Sequence, residues 1–165
     1  VITNFLGAFL YQHGYFNISS QPYDSTDFTT LSPHLTNEHL SLNSTANVYQ
    51  VPTTRCSHFN RVFGTMRQAI YHCLEAYQKK TSSMYSMSLS LGAFSIFGFD
   101  FVLDNQLDPW LLEVNHCPCF PTDRAHPLQL HLYDGFWSDM IDSFVVPMTT
   151  SDESLIGVSD NFIRL

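Results

Sequence analysis

Asp100, Glu113 and Asn115 stand inside two strongly apolar runs, Phe97-Gly98-Phe99-Asp100-Phe101-Val102-Leu103 and Pro109-Trp110-Leu111-Leu112-Glu113-Val114-Asn115. A lone carboxylate taken out of water is costly unless it is paired or bound to a cation. Basic partners are scarce, with 7 Lys+Arg in 165 residues. In a strand, Glu113 and Asn115 lie two apart and point to one face. If the runs fold back about the polar segment 104–108, Asp100 stands opposite Glu113 and Gly98 opposite Asn115. The three then share a face, and Gly98 leaves open space beside Asn115. Two carboxylates and a carboxamide oxygen are hard ligands that suit Mg²⁺ held together with substrate phosphates. The bland alternative is a hairpin with acids at a fraying edge, salt-bridged to Arg or Lys. Asp104 and Asp108 read that way.

Other chemistry-bearing residues weigh less. His116, Cys117 and Cys119 hint at zinc, but a structural zinc site needs two ligand pairs. Cys56 and Cys73 make no second pair, so Cys117 and Cys119 read as small residues of a loop beside the carboxylates. Trp110 reads as a packing residue. His34 fits a nucleotide-orienting role and a satisfied core histidine equally well. His13, His58, His72, His126 and His131 share no spacing. No Ser/His/Asp or Cys/His grouping demands a covalent nucleophile.

The elements that must position the acids follow from periodicity. Residues 6–19 predict two short strands around a turn at His13-Gly14, and 20–33 a polar loop. Residues 38–56 read as irregular. A helix is predicted from about His58 to Lys80. Its apolar stripe is Phe59, Val62, Phe63, Met66, Ile70, Cys73, Leu74 and Tyr77, with Ser57 as N-cap and Lys79 and Lys80 at the negative end of the dipole. Thr81 to Leu91 reads as a linker, Phe94–Leu103 and Pro109–Asn115 as strands, and Leu128–Phe144 as a second helix. A polar tail follows.

With 44% hydrophobic and 13% charged residues, the chain is neither disordered nor of low complexity. No apolar run reaches membrane-spanning length. A net charge of -8 argues against nucleic acid and anionic lipid as partners. Four cysteines are too few for a disulfide-stapled scaffold, which points to a reducing, cytosolic compartment. The Asn17 and Asn43 sequons are therefore not read as glycosylated. The opening VITNFLGAFLYQ has no initiator Met and no basic n-region, so it reads as the start of a piece cut from something longer rather than as a signal peptide.

The run Phe97-Gly98-Phe99-Asp100, followed by Pro109-Trp110-Leu111-Leu112-Glu113-Val114-Asn115-His116 and then Pro118 and Phe120, resembles the tubulin–tyrosine ligase-like family. These are ATP-grasp enzymes that join amino acids to tubulin through an acyl-phosphate. His34-Leu35-Thr36-Asn37 resembles a second motif of that family, and the segment from Leu10-Tyr11 to Ser19 its preceding strand pair. The resemblance covers roughly residues 6–142, with the middle poorly matched.

It implies an α+β fold, the C-terminal part of an ATP-grasp domain with an antiparallel sheet and packed helices, over residues 1–147, with a polar tail at 148–165. It implies ATP and Mg²⁺ as cofactors, Asp100, Glu113 and Asn115 as metal ligands, Glu113 as the catalytic bridge between two ions, and Thr36 and Asn37 as ATP contacts. Tubulin or microtubules and an amino acid, glutamate foremost, would be the partners, in the cytoplasm and on the cytoskeleton, with the cilium as one setting. The family's nucleotide-binding lysines and amino-acid-orienting arginine would lie before residue 1, so the piece alone is expected to be inactive. Glu38-His39-Leu40 departs from the family's aromatic-then-basic pattern after the second motif. The family's basic, tail-holding surface is likewise not evident in a chain of this charge. Two further readings stand beside this one. One is a non-catalytic tubulin- or axoneme-binding member, the other an ATP-grasp ligase with a non-tubulin acceptor.

Overall fold

The computed structural model describes residues 1–3, 7–36, 48–81, 93–121, 123–150 and 157–165. Asn37, the 38–40 departure, the Asn43 sequon and most of the expected 81–91 linker lie outside them. The fold is α+β. Its strands are β1 (Ile2–Thr3), β2 (Gly7–Tyr11), β3 (Tyr15–Ser19), β4 (Val48–Pro52), β5 (Phe94–Ser95), β6 (Phe97–Leu103), β7 (Pro109–His116) and β8 (Phe162–Arg164). All the pairings are antiparallel: a four-stranded sheet ordered β5-β1-β2-β8, and the two-stranded units β3-β4 and β6-β7.

Helix α1 spans Phe59–Thr81, the span its periodicity predicts to within a residue at each end, and it lies against β7. Only Val62 and Ile70 of its stripe are fully buried, at 2% and 4% exposure. Phe59, Phe63, Met66, Cys73 and Leu74 are half-buried, and Tyr77 is exposed. The stripe faces inward, but less completely than its composition suggests. A second helical run begins with a wide π turn at Gln129–Tyr133 and continues as α2 (Asp134–Met140). Another π turn at Ile141–Val145 leads into α3 (Val146–Thr150). Pro147 accounts for the second widening. It offers no N–H, and its ring would strike the carbonyl one turn back in a regular helix.

The core lies where this run meets the four-stranded sheet. Phe9 of β2, Phe136, Met140 and Phe144 of the helical run, and Phe162 of β8 are buried together. Phe144 meets Phe9 at 5.2 Å and Phe162 at 4.9 Å between ring centroids, both in tilted or edge-on contact. Leu128, Leu132 and Tyr133 extend this core, with Tyr11, Phe120 and Trp137 packed against both parts.

Several expectations are corrected here. β2 and β3 do not pair with each other: β2 joins β1 and β8, while β3 joins β4. Among the described glycines the positive φ falls at Gly7 (φ 102°), away from the His13-Gly14 turn. Residues 48–56 are not irregular, since Val48–Pro52 pairs with β3 and Thr53–Arg55 forms a 3-10 turn. Finally, the region read as a polar tail supplies β8 and the buried Phe162. Its apolar stretch is too short to stand out among polar neighbours, and only pairing with β2 gives it a buried side.

Candidate metal centre

β6 and β7 form a hairpin whose turn is built by one carboxylate. Asp104 accepts hydrogen bonds from the backbone N–H groups of Gln106 and Asp108, both at 2.9 Å, and from the Trp110 indole N–H at 3.0 Å. These bonds, the indole first, hold its carboxyl below the ordinary value. Asp104 is thus the organiser of the turn rather than a frayed acid. Leu107 takes a left-handed angle (φ 67°) to close the turn.

The register places Asp100 opposite Glu113 and Gly98 opposite Asn115, as the sequence predicts. A bulge then intervenes, because Phe101 pairs with Leu111 and leaves Leu112 unopposed. That extra residue returns Trp110 to the face of Asp100 and Glu113, opposite Val102. Counting alternate residues cannot reveal it, since a bulge breaks the period of two. Trp110 is 62% exposed and pinned by Asp104, so it is not the packing residue its type suggested.

Asn115 binds the two carboxylates together. Its amide Nδ2 donates to Asp100 Oδ2 at 3.2 Å and to Glu113 Oε1 at 3.1 Å. Both acids are exposed, so the burial penalty invoked from their apolar neighbours is largely absent. Partial desolvation and the adjacent Glu113 carboxylate nevertheless raise the Asp100 carboxyl above its ordinary value, and Asn115 opposes that rise. Two like charges are held side by side with only an amide between them. The donor set suits a hard cation: two carboxylates would neutralise it, and rotation of the Asn115 amide would present Oδ1 in place of Nδ2. Among the described residues no three His, Cys, Asp or Glu side chains are grouped to hold a metal, and the candidate donors are the two carboxylates and the Asn115 amide.

The space expected beside Gly98 is filled. A Cβ built on Gly98 would lie 3.1 Å from Pro118 Cβ and 3.9 Å from Asn115 Cβ. Pro118 therefore closes one end of the carboxylate face, while the end at Val102 and Trp110 stays open to solvent.

Thr36 is half-buried at the end of the loop from residue 20, and Asn37 lies outside the described residues. Asp27 orders that loop through bonds from Thr29 and Thr30. His34 Nε2 donates to the Asp27 carbonyl at 2.7 Å, and its ring stacks on Phe28 with Tyr23 at its edge. His34 is thus a satisfied loop histidine. A separate cleft of about 510 Å³, lined by Gln12, His13, Thr53, Arg55, Ser57 and Asn60 among others, includes none of the three candidate ligands.

The similarity to known proteins extends over most of the chain. The family model described as Tubulin-tyrosine ligase family matches residues 1–154. Tubulin glycylase 3F of Tetrahymena thermophila is 28% identical over 130 residues, covering 70% of this chain and 14% of that protein. Tubulin polyglutamylase TTLL7 of Homo sapiens is 30% identical over 146 residues, covering 72% of this chain and 16% of that protein. Probable tubulin polyglutamylase TTLL2 of Mus musculus is 30% identical over 137 residues, covering 74% and 25% respectively. The chain thus spans a quarter or less of the length of these relatives. With the family's model matched along nearly all of its length, the chain belongs to the tubulin-tyrosine ligase family.

Proposed function

We propose that this chain carries the metal-binding part of an ATP-dependent ligase that adds an amino acid, glutamate foremost, to tubulin through an acyl-phosphate. The observation that carries the reading is the convergence of Asp100, Glu113 and Asn115 on one open strand face, with Asn115 bonded to both acids. A divalent ion bound there would neutralise phosphate charge during transfer to a carboxylate acceptor. The chain's own contribution is positioning. The Asp104 turn and the β7 bulge fix the hairpin, Pro118 closes one end of its face, and Asn115 holds the acids within reach of one ligand. Thr36, and Asn37 beyond the described residues, are assigned to the nucleotide.

Tubulin as acceptor is supported by the names of the relatives and by the charge distribution. Residues 53–81 hold five of the seven basic side chains and one of the fifteen acidic ones, a local balance of +4 in a chain of -8. Helix α1 carries four of the five basic residues, Arg61, Arg67, Lys79 and Lys80, with Glu75 its one acid, and so offers an acidic polypeptide a complementary charge that net charge alone conceals. Cytoskeletal localisation follows from that partner. Among the described residues no helix is long and apolar enough to cross a membrane.

The test is incorporation of labelled glutamate into tubulin by the whole protein, with and without ATP and Mg²⁺. Incorporation that requires both supports the reading. Tubulin binding with no ATP consumption would show a non-catalytic family member instead, and ATP-dependent labelling of another acceptor would replace tubulin as the substrate.

A further inference from the structure

The loop after β7 carries a feature that the metal centre does not use. Cys117 and Cys119 are both exposed, whereas Cys56 and Cys73 are partly covered. One residue, Pro118, separates them, and it is the residue whose Cβ lies 3.1 Å from where a Gly98 Cβ would stand. The Cys117 N–H is anchored to the Ile96 carbonyl at 3.0 Å, and Cys117 takes a left-handed angle (φ 53°) that side chains other than glycine rarely adopt. Its Sγ lies 3.6 Å from both ring nitrogens of His116.

We propose that Cys117 and Cys119 form a reversible dithiol–disulfide site at the closed end of the carboxylate face, with a low-molecular-weight disulfide as oxidant. Cα atoms two residues apart are separated by no more than about 7.6 Å, against roughly 4.4–6.8 Å across a disulfide, so closing the bond requires a bent rather than fully extended backbone at Pro118. The reaction balances as two exchanges. One thiol attacks the small disulfide, forming a mixed disulfide and releasing one small thiol, which takes up the proton lost. The second thiol attacks the protein sulfur of that mixed disulfide and releases the other small thiol. The protein pair loses two electrons and two protons, and the small disulfide gains both. A ring this short across a proline is strained, and strained exposed disulfides are the labile ones, easily returned to thiols in a reducing compartment. Because Pro118 lies inside that ring and rests on Gly98 beside Asn115, closing the bond shifts Asn115 relative to Asp100 and Glu113. Any effect on divalent ion binding rests on the proposed metal centre, but disulfide formation does not.

The experiment treats the full chain with oxidised glutathione, blocks the remaining thiols and maps the peptides by mass spectrometry. The peptide holding both cysteines should lose 2 Da, with Cys56 and Cys73 still free, and dithiothreitol should reverse the change. Cys117→Ser and Cys119→Ser should each stop at a single glutathione adduct on the remaining exposed cysteine. In the oxidised chain, without metal, the Asn115 side-chain amide resonances should move. Stable glutathione adducts on both cysteines of the native chain, or equal oxidation of Cys56 and Cys73, would overturn the site. Unmoved Asn115 resonances in a chain that has lost 2 Da would overturn its link to the carboxylates. Failure of the chain to bind Mn²⁺ in either state would count against the metal reading alone.

Discussion

Asn115 donates to both Asp100 and Glu113, but the partial desolvation of Asp100 and the neighbouring Glu113 carboxylate still make the hairpin sensitive to pH. The Asp100 carboxyl is raised above its ordinary 3.8 by desolvation and by Glu113. The folded chain therefore holds that proton more tightly than the unfolded chain. By linkage, stability falls as pH rises from about 3.8 through the raised value, and stays reduced above it. Asp100→Asn removes this dependence. Without divalent ions it should melt higher than the wild type near pH 7 and show a flatter profile below that, as thermal melts across the range would reveal. A wild type and variant with parallel profiles would remove the repulsion from the account. At Gly98, an added methyl group would meet Pro118 Cβ at 3.1 Å, so the stiff proline ring would have to give by a few tenths of an ångström. Gly98→Ala should cost on the order of 1–3 kcal/mol by overpacking, read from denaturant melts. The shared face of Asp100, Glu113 and Asn115 was legible in residue spacing. The filled space at Gly98 was not, because Pro118 arrives from a loop whose path no periodicity reports.

At the scale of elements, helix α1 was the most legible, since apolar spacing of i, i+3, i+4 sustained from Phe59 to Tyr77 of this 23-residue helix fits no strand or loop. Its depth of burial was less legible. Phe63 is only half-buried, so Phe63→Ala should cost less than Phe144→Ala, where the ring is 0% exposed and truncation should cost about 3–5 kcal/mol. Equal losses in urea melts would show that the helix face is better sealed than its exposure indicates. Gly64 sits within α1 with nothing within 4 Å of an added Cβ. Gly64→Ala should stabilise the chain by roughly 0.5–1 kcal/mol, measured the same way. The bulge at Leu112 and the π turn before Pro147 escaped the sequence for one reason. Each is a local departure from a period, imposed by partner strands or by a proline ring rather than by side-chain pattern.

The whole molecule is organised around an aromatic core that joins β2, the second helical run and β8, elements far apart in sequence. Such a core is hard to foresee, because isolated Phe residues in short strands carry little periodic signal and acquire a buried face only through non-local pairing. Charge is segregated as well, with α1 basic and the remainder acidic. In the proposed ligase, Asp100, Glu113 and Asn115 hold the ion that the reaction requires. The variant that bears on this most directly is Glu113→Gln in the whole protein, an exchange that keeps the side chain's shape and removes its charge. Labelled-glutamate incorporation into tubulin, with a thermal melt to confirm folding, should fall roughly a thousandfold, equivalent to about 4 kcal/mol of transition-state stabilisation. Asn115→Ala should lose less, since water can replace a neutral ligand. Wild-type incorporation by a folded Glu113→Gln protein would contradict the assignment.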